Sequence, residues 1–165
     1  MEPNDMLSAD EIRQRFPQLA GFLSSQNLLV SGRLAVWAEE QNIDYESAVF
    51  MQNGELWRWR TARITPAKPG AFVALWRRNS QGSTEPFDAT DECAGVMIGV
   101  ADDDGSGIFT FTNKDLERLG IYQSTAQPGK RGFRLYMPWN DRLNRQAQRT
   151  KEAQAQFFLP MTTVK

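Results

Sequence analysis

The stretch Gly129-Lys130-Arg131-Gly132-Phe133-Arg134-Leu135-Tyr136-Met137-Pro138-Trp139 sets three cations beside three aromatic rings within eleven residues. Cations neutralise phosphates, and flat side chains stack on unpaired bases for about 1–3 kcal/mol each, so this composition suits a single-stranded polynucleotide. Arg131 and Arg134 can clamp phosphate oxygens through paired N–H bonds, Lys130 supplies a point charge, and the amides around Gly129 and Gly132 can approach an anion closely. Strand alternation after Gly132 puts Phe133, Leu135 and Met137 on one face and Arg134 and Tyr136 on the other. A second stretch interleaves the same residue types through Arg58, Trp59, Arg60, Arg63, Lys68 and Arg77. The nucleic-acid-binding candidates are therefore Arg63, Lys68, Arg77, Lys130, Arg131, Arg134, Tyr136 and Trp139, joined by Arg145 and Arg149 from a helix that Asn140 or, in preference, Asn144 caps. The competing reading is a solvated strand face whose arginines pair with acidic segments, contributing little.

Catalysis has fewer resources. The chain has no histidine and one cysteine, which removes Ser-His-Asp and Cys-His nucleophilic sites, histidine-ligated zinc and thiolate zinc cages. Phosphodiester hydrolysis would have to draw a magnesium site from separated carboxylates. Glu46, Asp88 and Asp91, with Lys68 as the accompanying cation, are the candidates, and nothing in the sequence converges them. The primary reading assigns no catalytic residue, metal or cofactor. Asp102-Asp103-Asp104-Gly105 looks like a fragment of a calcium loop, but it lacks the ligand spacing and the closing glutamate and reads as a charged hairpin turn.

At 165 residues the chain suffices for one ordinary domain with a core of its own, without disulfides or metal. A hydrophobic share of 41% and a charged share of 24% are globular rather than disordered composition. The net charge of −1 argues against a general polyanion binder, but the distribution does not. Residues 1–46 and 81–128 carry −5 and −7, whereas 47–80 and 129–165 carry +5 and +6. If the two basic blocks meet in space, the molecule gains a cationic face. The lone Cys93 cannot form an internal disulfide, and residues 1–9 lack a basic region followed by an apolar run. No apolar window approaches the roughly 20 residues of a membrane span. The expectation is a cytoplasmic protein with no membrane partner; its oligomeric state is open.

These residues need elements to position them. Ser8 with Glu11 forms a capping box that opens a helix through Arg15 or Phe16, near Pro17. Residues 28–41 read as a second helix or helical pair interrupted by Gly32. Residues 47–51 form a strand, Asn53-Gly54 a hairpin turn, and 55–64 the returning strand, with Trp57 and Trp59 on one face and Arg58 and Arg60 on the other. Trp57 and Trp76 are expected in the core. After a loop carrying Lys68, residues 71–78 form a central strand with Phe72, Ala74 and Trp76 sharing a face. Residues 93–101 are apolar without alternation, as in a strand buried on both faces. A strand at 108–111, a short helix capped by Thr112 or Asn113 and ended by Gly120, the strand after Gly132 and a closing helix complete the order. In that helix Leu143, Ala147, Thr150, Gln154 and Phe157 share the packing stripe, away from Arg145 and Arg149. This is a mixed α/β or α+β domain with a curved mixed sheet flanked by helices.

Taken together, Thr65-Pro66-Ala67-Lys68 with Gly70 and Phe72, Trp76-Arg77-Arg78, Pro86-Phe87-Asp88 with Asp91, and the block from Gly129 to Trp139 resemble the MepB family. The final helix adds Gln146-Ala147, Thr150 and Phe157-Phe158. The resemblance covers residues 44–158, leaving 1–43 as a helical N-terminal segment of the same domain. It implies a sheet like the PD-(D/E)XK endonuclease core and nucleic-acid binding with the nuclease residues lost. The sequence bears on that directly. None of the five lysines has an acid two residues before it, and no Pro-Asp pair occurs. The chain departs from the family pattern at Asn140, which intervenes before Asp141, and at Ala153, where an aromatic is usual. Three functions stand in order: a non-catalytic binder of RNA or single-stranded DNA, a metal-dependent nuclease with a migrated site, and an interaction module whose cationic face meets an acidic protein.

Overall fold

The computed structural model describes residues 1–161. The elements are β1 (Leu7–Ser8), α1 (Ala9–Arg15), α2 (Pro17–Ser25), β2 (Arg33–Leu34), β3 (Val36–Ala38), β4 (Ala48–Gln52), β5 (Glu55–Thr61), β6 (Arg63–Ile64), β7 (Ala71–Ala74), β8 (Arg77–Arg78) and β9 (Thr84–Glu85). They continue as β10 (Gly95–Asp102), β11 (Gly105–Thr112), α3 (Asn113–Arg118), β12 (Gly132–Leu135), α4 (Arg145–Gln154) and β13 (Phe158–Pro160). The mixed sheet has six strands in the order β13-β11-β10-β5-β4-β3, and its one parallel pair is β5 with β10. A second sheet of three antiparallel strands, β12-β7-β6, packs over one face of it.

Alternation in the central strands explains the layering. Val96, Ile98 and Val100 of β10 and Phe109 and Phe111 of β11 face the small sheet, where they meet Val73, Leu75, Phe133, Leu135 and Met137. Met97, Ile108 and Trp59 point the other way, into a second cluster under α1 and α2 with Ile12, Leu19, Phe22 and Phe50. Helices cover one face and the small sheet covers the other, so β10 is apolar and buried from Gly95 to Val100.

Local signals set the boundaries. The Ser8 hydroxyl accepts from the Glu11 amide while Glu11 returns a bond to the Ser8 amide, and Thr112 and Asp115 repeat the arrangement at α3. Asn144 accepts from the Ala147 amide and starts α4. Residues 28–41 do not form the expected helix; β2 and β3 occupy that range, and Val36 is buried against β4. The second helix lies earlier, because Pro17 begins α2 at a first-turn position where its missing N–H costs nothing. The N-terminal segment thus carries its α-helices only to Ser25, and beyond them the short strands β2 and β3 joined by turns.

Candidate nucleic-acid interface

Pairing of β7 with β12 joins the two basic blocks. Arg63 lies opposite Phe72, and Phe72 opposite Arg134, so the three side chains stand in one row on the outer face of the small sheet. Arg63 is exposed, while Phe72 and Arg134 are half-buried. The Phe72 ring lies across Gly132, where an added Cβ would stand 2.6 Å from Cζ. Arg134 is held in place: its Nη1 donates to the Pro69 carbonyl at 3.0 Å and its Nη2 to Thr65 Oγ1 at 2.8 Å. Those bonds fix the loop between β6 and β7, which presents Lys68 to solvent. The loop closes at Gly70, whose φ is +80° and where an added Cβ would stand 2.5 Å from the Leu135 carbonyl oxygen, so no side chain fits.

Beside the row, β12 and α4 enclose a cleft of about 350 Å³. Lys130, Arg134 and Tyr136 line it from the strand side; Asn144, Gln146, Thr150 and Gln154 line it from the helix, and no carboxylate does. The buried Gln154 amide anchors the two walls, accepting from the Tyr136 amide at 3.0 Å and donating to the Arg134 carbonyl at 2.8 Å. Arg145 and Arg149 are exposed on the flank of α4 away from its buried Ala147 and Gln154.

Other candidates sit differently. Arg131 is exposed and grips Thr84, through Nε to Oγ1 at 3.0 Å and Nη2 to the carbonyl at 2.9 Å. Tyr136 is 9% exposed, with its ring against the Gly70 site, and Trp139 donates Nε1–H to Asp102 Oδ2 at 2.8 Å and packs edge-on to Phe158. The two glycines expected to cradle an anion serve packing: a Cβ at Gly129 would meet the Gln123 amide at 2.7 Å, and Gly132 lies under Phe72. Trp76 is half-buried, with the Arg78 guanidinium 5.4 Å over its ring, and stands outside both core clusters.

Three of the strand arginines are spent on internal carboxylates. Arg58 forks onto Asp91 at 2.7 and 3.0 Å and reaches Glu39 at 2.8 Å. Arg60, with no exposed side-chain surface, bonds Glu39 at 2.6 Å and Asn42 at 3.1 Å. Burial works against the Arg58 charge, but Asp91 and Glu39 outweigh it and its pKa rises. Both arginines lie on the face of β5 that the small sheet covers, so their charge is enclosed between layers, and Phe87 stacks 4.3 Å from the Arg58 guanidinium. Arg77 pairs with Glu85 at 2.9 Å and Asp88 at 3.2 Å. The remaining basic candidates, Arg63, Lys68, Lys130, Arg131, Arg134, Arg145 and Arg149, have no carboxylate partner among the described residues.

The four residues of the nuclease alternative are likewise engaged or apart. Asp91 is held by Arg58. Asp88 accepts from the Thr90 hydroxyl and amide and then from Arg77, which together hold its carboxyl below the usual range. Glu46 accepts from the Gln18 amide at the start of α2, and burial raises its carboxyl. Lys68 stands in its exposed loop. Among the described residues no group of three or more histidine, cysteine, aspartate or glutamate side chains converges as a metal ligand set, and no helix is long and apolar enough to cross a membrane.

A mixed six-stranded sheet, capped by helices on one face and by a small sheet with this basic outer row on the other, defines the class. The chain belongs to the MepB-like family, whose profile matches residues 39–160. The crystal structure of MepB is similar at a TM-score of 0.76 and 30% identity, over 88% of this chain and 98% of that one. No curated protein matches the chain.

Proposed function

We propose that the chain binds single-stranded nucleic acid, RNA or DNA, across the outer face of the small sheet and performs no hydrolysis. The observation that carries this reading is the register that stands Arg63, Phe72 and Arg134 side by side. Two cations flank a flat ring, which is the minimal arrangement for holding phosphates on either side of a stacked base. Lys130 extends the positive potential into the cleft, Lys68 supplies it from the loop, and Arg131, Arg145 and Arg149 widen the track. Arg77, Tyr136 and Trp139 are omitted because their polar groups or rings are engaged inside the protein. Phe72 takes the stacking role in place of Tyr136 and Trp139.

Titration of labelled single- and double-stranded oligonucleotides tests the proposal. If about five phosphates are neutralised, the single-strand slope of about −0.7 per phosphate gives roughly a hundredfold loss of affinity between 50 and 200 mM salt. Arg63→Gln with Lys130→Gln, which removes charge without breaking an ion pair, lowers the slope by about 1.4. A salt-independent titration overturns the reading. Cleavage of the oligonucleotide in magnesium or manganese, abolished by replacing Glu46, Asp88, Asp91 or Lys68, establishes the nuclease in its place.

A further inference from the structure

A second recess lies on the same face of the small sheet, further along β7. It measures about 440 Å³ and has Tyr45 and Trp76 for walls, Glu40, Asp44 and Arg78 at its rim and Asn42 among its lining residues. Asn42 is 8% exposed, and its orientation is settled by its bonds: Oδ1 accepts from Arg60 Nη2 at 3.1 Å and from the Trp76 amide at 3.2 Å. Nδ2 therefore remains as a buried donor, and it has no partner among the described residues. Such a donor calls for an acceptor.

We infer that this recess reads a guanine base in the strand whose phosphates lie on the Arg63–Phe72–Arg134 row, an inference that rests on the polynucleotide reading above. Charge says what enters. Two carboxylates oppose one guanidinium at the rim, and Arg78 is itself tied to the Gly82 carbonyl at 3.0 Å, so a phosphate is repelled and a neutral group with N–H donors is favoured. Hydrogen bonding selects within that class. Guanine alone among the common bases sets a carbonyl oxygen beside two adjacent N–H donors: O6 accepts from Asn42 Nδ2 while N1–H and N2–H pair with a carboxylate of Glu40 or Asp44. Tyr45 and Trp76 supply the flat apolar walls that unpaired bases seek. Position agrees with connectivity. Ala74 lines the recess two residues along β7 from Phe72, roughly 7 Å away, and the Tyr45 ring meets the Phe72 ring edge-on at 6.2 Å. A nucleotide held at the row can thus swing its base into the recess.

Fluorescence anisotropy with two oligonucleotides of equal length, one all adenine and one carrying a single central guanine, tests this on the full chain. The guanine strand binds about tenfold tighter, as expected for one bidentate base contact. Asn42→Asp keeps Oδ1 and tolerates the φ of +63° but replaces the donor with an acceptor, and it abolishes the preference. The exposed pair Glu40→Gln and Asp44→Asn does the same without touching the buried network, so a misfolded Asn42 variant leaves the proposal testable. Neither abolishes binding of the adenine strand, whose phosphates stay on the Arg63–Phe72–Arg134 row, and the rim pair, which removes negative charge, does not weaken it. Equal binding of the two strands by the wild type, or a preference that survives the rim variants, overturns the recess assignment alone. Failure of both strands to bind overturns the polynucleotide reading and this one together.

Discussion

Replacing Glu39 with glutamine isolates the energetics of the enclosed arginines. Among the described residues the Glu39 carboxylate is the one negative charge that bonds Arg60, whose other partners are the Trp59 carbonyl and the Asn42 amide oxygen; Arg58 keeps its fork with Asp91. Glutamine preserves shape and one acceptor, so the change leaves a fully buried guanidinium without its counter-charge. Removing one partner of a buried pair costs about 3–5 kcal/mol, because the remaining ion cannot recover its hydration. With a urea slope of about 2 kcal/mol/M, the unfolding midpoint falls by roughly 1.5–2.5 M. Each kcal/mol is worth about 2–4 °C for a chain of this size, so melting drops by roughly 6–20 °C. Arg60→Met in the Glu39→Gln background removes the orphaned charge and recovers much of the loss, giving a positive coupling in the double-mutant cycle. A Glu39→Gln variant within about 1 kcal/mol of wild type refutes the reasoning, since it would mean that water reaches Arg60.

Two further outcomes follow from burial. Cys93 is 1% exposed and burial pushes its thiol up to about 12, so a thiol reagent at neutral pH leaves the native chain unlabelled and modifies it once urea unfolds it; rapid labelling of native protein contradicts the packing. Burial raises the Glu46 carboxyl above its ordinary 4.5, outweighing its bonds from Thr61, Gln18 and Leu19. The charged form is therefore disfavoured in the fold, and its cost grows as pH rises from 4.5 through the raised value. Against Glu46→Gln, wild type loses relative stability across that window in urea titrations and stays level above it; a relative gain with rising pH means that the amides of the α2 N-terminus dominate instead.

Short-range chemistry was legible in the chain and long-range pairing was not. Ser8, Thr112 and Asn144 announce their helices because a cap is satisfied within three residues. Asn53-Gly54 announces its hairpin through the backbone conformations that these two residues tolerate, and both have positive φ. Residues 28–41 misled because Leu28, Leu29, Val36 and Trp37 fit a helical stripe as well as short strands, and pairing with β4 decided between them. The small sheet was invisible as a separate layer, since its pairing joins residues about 60 apart. That same pairing brings the basic blocks together, so their meeting could be posed from composition but not deduced. Arg58 and Arg60 read as surface because alternating arginines usually face water. Their partner Glu39 lies about twenty residues upstream and Asp91 about thirty downstream, joined to them only by the fold. Phe72 was grouped correctly with Ala74, opposite Val73 and Leu75, but on a face expected to bury Trp76 rather than to stand between two cations.

Gln154 lends β12 a surrogate neighbour. Strands at sheet margins invite other chains to add on, and a single carboxamide here mimics one rung of the ladder such an intruder would build. Any foreign segment zipping onto this margin must first evict the terminal helix. Strand addition at β12 is thereby locked behind detachment of α4.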